Sequence, residues 1–204
     1  IIQTDFGSMT VQFHYDEAPN HVRNFLQLVR DKFYDNLTIH HFVPGVYMQG
    51  GCPNGDGAGI RPDGVKLKAE LSDQPMDRGS FCMARLENDL DSASCQFFIS
   101  NTRVPQWDGR YTILGDLVGA QSFETLDKLM AVPLNQDGRP KKTVFIRGIR
   151  LVDETAETRP ILLGAPESRA AGTRPSPAQD GKPARWSDPD QKYSKNGLIV
   201  FKHE

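Results

Sequence analysis

The sequence predicts a mainly β domain carrying two helices and followed by an extended tail, on three observations. Segments rich in β-branched and aromatic residues recur with turn residues between them. Two stretches break into helical spacing. After about Asp153 all regular period is lost. The strand-like segments are IIQTDF, MTVQFHY, LTIHHFV, VYMQGG, GSFCMARL, QFFISN, TILGDLV and TVFIRGIRLV. Eight short strands so spaced fit a closed barrel or a sandwich.

Between the second and third strands, APNHVRNFLQLVRDKFY places Val22, Phe25, Leu26 and Val29 at i, i+3, i+4 and i+7, one face of a helix, with Pro19 suited to its first turn. Before the last strand, SFETLDKLMA gives nearly the same spacing through Phe123, Leu126, Leu129 and Met130. Ser122 and Thr125 are expected near the start of this helix, and Pro133 lies just past its end. The stretch GGCPNGDGAGIRPDG, residues 50–64, holds six glycines. Glycine permits positive φ and disfavours regular structure, so a functional loop is expected there.

Composition bounds the partners. With 204 residues, 38% hydrophobic and 25% charged, the chain can build one sizeable core plus an appendage. A net charge of −2 with both signs interspersed gives no pull towards nucleic acid or anionic membrane, so neither is expected as a partner. No apolar run approaches the roughly 20 residues that cross a bilayer, and the first residues alternate like a strand. The expectation is a soluble chain, cytoplasmic or exported after loss of a signal peptide, and compatible with being a processed piece of something longer. Cys52, Cys82 and Cys95 form an odd set without CxxC spacing, which argues against disulfides or structural zinc. Cys82 and Cys95 lie in apolar strands and are expected as buried thiols. The five histidines show no paired metal-ligand spacing, so no metal or other cofactor is expected.

Eight of the fourteen prolines fall in residues 1–153 and six in the 51 that follow. The expected organisation is a domain over 1–153 and a Pro-rich C-terminal extension over 154–204. Its end, GLIVFKHE, is strand-like. Two readings stay open for it, a surface-hugging extension or an arm that contributes contacts to a protein partner.

Four separated motifs, in order, resemble the cyclophilins, a family of peptidyl-prolyl cis/trans isomerases. YDEAPNHVRNFLQLV is similar to the family's first helix. FYDNLTIHHFVPGVYMQGG is similar to the segment that follows it, and GSFCMARLENDLDSASCQFFIS to the Ser-Met-Ala-Arg and Ser-Gln-Phe-Phe-Ile pattern of bacterial members. DGRYTILGDLVGAQSFETLDKL looks like the stretch leading into the second helix. The resemblance covers residues 1–153. It implies a closed eight-stranded antiparallel barrel capped by two helices, filled inside by side chains, with its active face on the outside.

Carried over residue by residue, the resemblance implies a proline pocket lined by Val46, Tyr47, Phe98, Trp107 and Tyr111. Gln49, Ala84, Arg85 and Gln96 would lie along the groove that holds the peptide backbone, with Gln49 counted among the catalytic residues. Phe97 and Phe98 alternate in one strand, so one faces the core and the other the outside, and the resemblance selects Phe98 for the pocket. Gln49 and Gln96 are polar residues in apolar strands and need hydrogen-bond partners, either a ligand backbone or a neighbouring loop. Three departures stand out: Val46 replaces a phenylalanine, Tyr111 replaces a histidine, and Trp107 stands where a leucine is usual, with Gln106 in the place of the tryptophan. Either the indole refills the volume lost at Val46 or the loop is shifted by one residue.

His41 occupies the position of the family's catalytic arginine. Rotation about X-Pro meets a barrier of about 20 kcal/mol because the planar amide loses its resonance. In the twisted transition state the proline nitrogen becomes pyramidal, and a donor aimed at it binds that state better than either ground state. Arginine offers a permanent charge and a fork of donors, whereas imidazole is shorter and largely neutral at pH 7. The expectation is an isomerase of reduced activity acting on X-Pro bonds in flexible or unfolded chains, with His41 and Gln49 catalytic. The alternative is a non-catalytic module of the same fold that binds proline-containing peptides or a protein partner.

Overall fold

The computed structural model describes residues 1–152, so the extension expected from residue 154 lies outside the described residues. All eight expected strands form: β1 (Ile2–Thr4), β2 (Gly7–Phe13), β3 (Thr38–Val43), β4 (Tyr47–Cys52), β5 (Ser80–Met83), β6 (Phe97–Ser100), β7 (Ile113–Val118) and β8 (Val144–Ile149). They close into one antiparallel barrel in the order β1, β2, β7, β5, β6, β4, β3, β8, with β8 pairing back onto β1. Among the described residues, closure leaves no edge strand to pair with another chain. No helix among the described residues is long and apolar enough to cross a membrane.

Helix α1 (Pro19–Arg30) begins with Pro in its first turn and buries the expected face of Val22, Phe25, Leu26 and Val29. No side chain of its own caps it. The carboxylate of Glu70 does so from a distant loop, accepting the backbone N–H of Asn20 at 3.1 Å and of His21 at 2.9 Å. Phe25 enters the barrel mouth and meets the rings of Tyr34, Phe81, Phe13 and Phe97 at centroid distances of 4.9, 5.1, 5.7 and 6.0 Å. Their tilted and edge-on packing is the favoured one for aromatic quadrupoles.

Helix α2 (Ala120–Met130) departs from the expected start. Gly119, at φ +78°, is its N-cap, and Ser122 and Thr125 lie inside the helix on its buried face. Their hydroxyls fasten α2 to β2. Ser122 Oγ accepts the backbone N–H of Thr10 at 2.8 Å and donates to Val118 O at 2.6 Å, while Thr125 Oγ1 lies 3.1 Å from Ser8 O. A hydroxyl on a buried helix face is kept there by having partners.

Strand β3 carries the irregularity that matters most for the outer face. Its register against β4 shifts between Ile39 and His41, so Ile39 and Phe42 both face the core while His41 pairs with Gln49. His40 and His41 are each only 4% exposed. Burial depresses both imidazoles to about 4; the neighbouring His41 further lowers His40, and Arg139 further lowers His41. All three cysteines are free and buried; burial pushes Cys95 up to about 12 and Cys82 well above its ordinary value.

Two expected outcomes follow from this packing. A Cβ on Gly115 would lie 2.1 Å from Gln12 O and 2.9 Å from Phe13 Cα, so Gly115→Ala must part β2 from β7. A loss of about 3 kcal/mol or more in urea unfolding is expected, and a loss below 1 kcal/mol would contradict the packing. The histidine pair sets an acid limit. Above pH 6.5 both are neutral folded and unfolded; below it the unfolded chain takes up protons that the fold refuses until about pH 4. Stability should fall from pH 6.5 to 4.5, by up to about 1.4 kcal/mol per pH unit per histidine. His14, raised by its bond to Asp116, acts in the opposite direction. A urea midpoint that stays flat over that range, or a fall that His41→Gln does not make shallower, would refute this account.

Candidate functional site

Strands β4, β5 and β6 alternate between the two faces of the barrel wall. Met48, Phe81, Met83, Phe97 and Ile99 point into the core, and Tyr47, Cys82 and Phe98 belong to a second, outer apolar cluster with Val43, Met76, Val104, Trp107, Tyr111 and Ile113. The outer cluster needs a wall that the strands cannot supply. A 3₁₀ turn over Pro105–Trp107 supplies it, held by Asp108, which accepts Met76 N–H at 2.8 Å and pairs with Arg103 at 2.5 Å. Phe98 is then boxed by Tyr111 at 5.1 Å and by Tyr47 and Trp107 at 5.7 Å each. Trp107 is the aromatic of this wall, and Gln106 is exposed.

In front of these rings lies a cavity of about 300 Å³. Eight of the ten residues singled out from the sequence line it: Tyr47, Gln49, Ala84, Arg85, Gln96, Phe98, Trp107 and Tyr111. Gly57, Ala58, Gly59 and Ile60 of the Gly-rich loop form the facing bank, and Lys66, Leu86, Ser92, Ser94 and Cys95 close the far end. The bank was legible as a glycine-dense loop. The far end was not singled out, although all of it but Lys66 falls within the run GSFCMARLENDLDSASCQFFIS.

The polar side of the cavity is organised by two amides. Gln49 Nε2 donates to Gln96 Oε1 at 2.9 Å, and Gln96 Nε2 donates to the carbonyls of Gly57 and Gly59, both at 2.8 Å. The neighbouring loop is thus the hydrogen-bond partner of Gln96, and Gln96 in turn fixes how Gln49 faces the cavity. The Arg85 guanidinium lies over the Tyr111 ring, 4.5 Å from its centroid. Its donors reach Arg110 O at 3.1 and 3.0 Å and Leu86 O and Glu87 O at 2.8 Å. It braces two loops against the aromatic wall. Arg61 is engaged with Asn24 and Asp63.

Val46 and His41 are the two residues singled out from the sequence that do not line this cavity. Val46 is half-buried at the margin of the outer cluster, outside the cavity lining. The His41 ring is also outside the lining: its centroid is 5.9 Å from that of Tyr47, and Tyr47 stands in contact with Phe98. The other side of the ring is covered by Gly138, where an added Cβ would lie 2.8 Å from His41 Cε1. His41 Nε2 is buried and has no hydrogen-bond partner in the structure. The short imidazole stays close to its strand, packed between Tyr47 and the turn that carries Gly138.

Residues 1–151 match the model of the family described as cyclophilin type peptidyl-prolyl cis-trans isomerase. A peptidyl-prolyl cis-trans isomerase of Synechococcus elongatus is 35% identical over 143 residues, covering 67% of this chain and 96% of that protein. One of Helicobacter pylori is 34% identical over 128 residues, covering 63% and 78%. The solved structure of a Cryptosporidium parvum cyclophilin-type isomerase, determined in the presence of the dipeptide Ala-Pro, superposes with a TM-score of 0.71 at 29% identity, covering 75% of this chain and 98% of that one. A closed eight-stranded barrel with two helices, an outer aromatic box and a family match that spans the whole described domain place this chain in the cyclophilin-type peptidyl-prolyl cis-trans isomerase family.

Proposed function

We propose that the cavity binds proline-containing segments of protein chains and isomerises the X-Pro bond, at a rate below that of a member with an arginine at position 41. The observation that carries this is the aromatic box: four rings around one apolar recess, with an amide pair along its open side. A proline ring is compact, apolar and without an N–H, so a recess of aromatic faces suits it, while Gln49 can grip the chain's backbone amide groups. The Ala-Pro dipeptide used with the Cryptosporidium parvum relative is consistent with such a ligand.

The same geometry limits turnover. Binding that merely holds the proline favours both isomers and does not accelerate their exchange. Acceleration requires an interaction stronger in the twisted state, and His41, buried beside Tyr47, outside the cavity lining and neutral at pH 7, is poorly suited to give one. Losing a charge-assisted donor removes about 2 to 4 kcal/mol of transition-state stabilisation, roughly 30- to 1000-fold in rate. What remains is the shape of the recess, which favours a twisted or cis prolyl bond, and the oriented Gln49 amide. Withdrawal of His41 from the cavity also supports a second reading, in which the domain binds proline segments without turnover.

A prolyl isomerisation assay on wild type and two variants separates these readings. His41→Ala should keep kcat/KM within about threefold of wild type, and Phe98→Ala should lower it about a hundredfold or more by removing the central ring of the aromatic box. With His41 held near 4, the wild-type rate should be flat from pH 6 to 8. A large loss in His41→Ala, or a rate that climbs as pH falls through 6.5, would show that the imidazole reaches the substrate after all. If wild type matches the uncatalysed rate yet Trp107 fluorescence still reports peptide binding in a Trp186→Phe background, the binding reading stands.

A further inference from the structure

We propose that Arg139 is a positioning residue for the groove: its guanidinium latches the Gly-rich loop and, through that loop, sets the Gln96–Gln49 pair that faces the bound chain. This rests on the reading of the cavity as a proline-segment site. Nothing in the run NQDGRPKK marks Arg139 in the sequence, and only the fold brings it to the loop, more than eighty residues earlier in the chain.

The base of the latch is fixed. Arg139 sits in a tight turn in which Asn135 N–H donates to Arg139 O at 2.7 Å and Lys141 N–H to Pro133 O at 2.8 Å. Gly138 O accepts Phe42 N–H at 2.8 Å, tying the turn to β3. From there Nη1 donates to Gly55 O and Nη2 to Asp56 O, each at 3.0 Å. Two adjacent carbonyls gripped by the two arms of one planar fork define the loop's orientation as well as its distance.

The loop needs such a grip. Gly55, Gly57 and Gly64 are all at positive φ, and residues 53–64 belong to no strand. Glycine-rich backbone has many conformations of similar energy, so few contacts decide which is populated. On the groove side the next residues carry the acceptors of Gln96: Gly57 O and Gly59 O. Beneath the same residues, Cys52 Sγ accepts the N–H groups of Gly57 and Gly59, both at 3.3 Å, and is buried by them. If the carbonyls of Gly55 and Asp56 are released, Gly57 and Gly59 shift with them. Gln96 then loses both acceptors, Gln49 loses its orientation, and Cys52 loses its cover.

Cys52 therefore reports the latch independently of any turnover. In the full 204-residue chain, native-state alkylation by iodoacetamide, mapped peptide by peptide, is compared for wild type, Arg139→Ala and Arg139→Lys, together with affinity for an Ala-Pro-containing peptide. Arg139→Ala should speed Cys52 alkylation about tenfold or more and weaken peptide binding about fivefold, while Cys82, buried in the barrel wall, reacts as in wild type. Arg139→Lys, a single point charge in place of a fork, should fall between the two. Unchanged Cys52 alkylation in Arg139→Ala overturns the latch; faster alkylation with peptide affinity within twofold of wild type overturns the positioning role. If Cys82 is exposed along with Cys52 the alanine variant has unfolded, and Arg139→Lys then decides by the same two readouts. A wild type that binds no proline peptide defeats the reading of the groove, and the alkylation result still decides the latch.

Discussion

Along β6 the side chains of Phe97 and Phe98 leave one backbone in opposite directions, and both faces of the barrel wall depend on that alternation. Phe97 packs with Phe25, Tyr34 and Phe81 in the core, while Phe98 is the centre of the outer aromatic box. Because the barrel is closed and its interior filled, a ligand can only be met from outside, by residues whose neighbours along the strand are core residues. The site thereby inherits the rigidity of the core. Phe98 cannot tilt without moving Phe97, and the same holds for Tyr47 beside Met48 and for Cys82 between Phe81 and Met83.

The polar bank of the groove is held by a different kind of force. There the backbone is irregular and its placement depends on a chain of side-chain hydrogen bonds running from Arg139 through the loop carbonyls to Gln96 and Gln49. Aromatic packing is broad and tolerant of small shifts, whereas a hydrogen bond decays within a few tenths of an ångström and with angle. The groove thus joins a rigid apolar floor to a polar bank whose geometry hangs on a few donors.

His41 illustrates how one residue changes the meaning of its surroundings. Its short ring stops close to the strand, and the turn bearing Gly138 packs against it. Burial then keeps the ring neutral, and the nearby charge of Arg139 reinforces this. Three arginines in the neighbourhood are engaged elsewhere: Arg61 with Asn24 and Asp63, Arg85 with loop carbonyls over Tyr111, Arg139 with the Gly-rich loop.

The eight strands and both helices were legible in the sequence because period 2 and the i, i+3, i+4, i+7 spacing are local properties of the backbone, and the aromatic box was legible through the resemblance of Tyr47, Phe98, Trp107 and Tyr111 to a known pattern. Other features were not. Their type puts Ser122 and Thr125 near the start of α2, yet Ser122 Oγ serves Thr10 of β2, a partner more than a hundred residues away. The loop residues facing the rings, the far end with Lys66 and Ser92, the closing of Gly138 against His41 and the reach of Arg139 to Gly55 all join segments distant in the chain. The sequence by itself determined which faces are apolar and hence that a barrel forms. Only the tertiary structure decided which polar groups meet, because a hydrogen bond depends on the relative placement of two segments, and no local pattern encodes that.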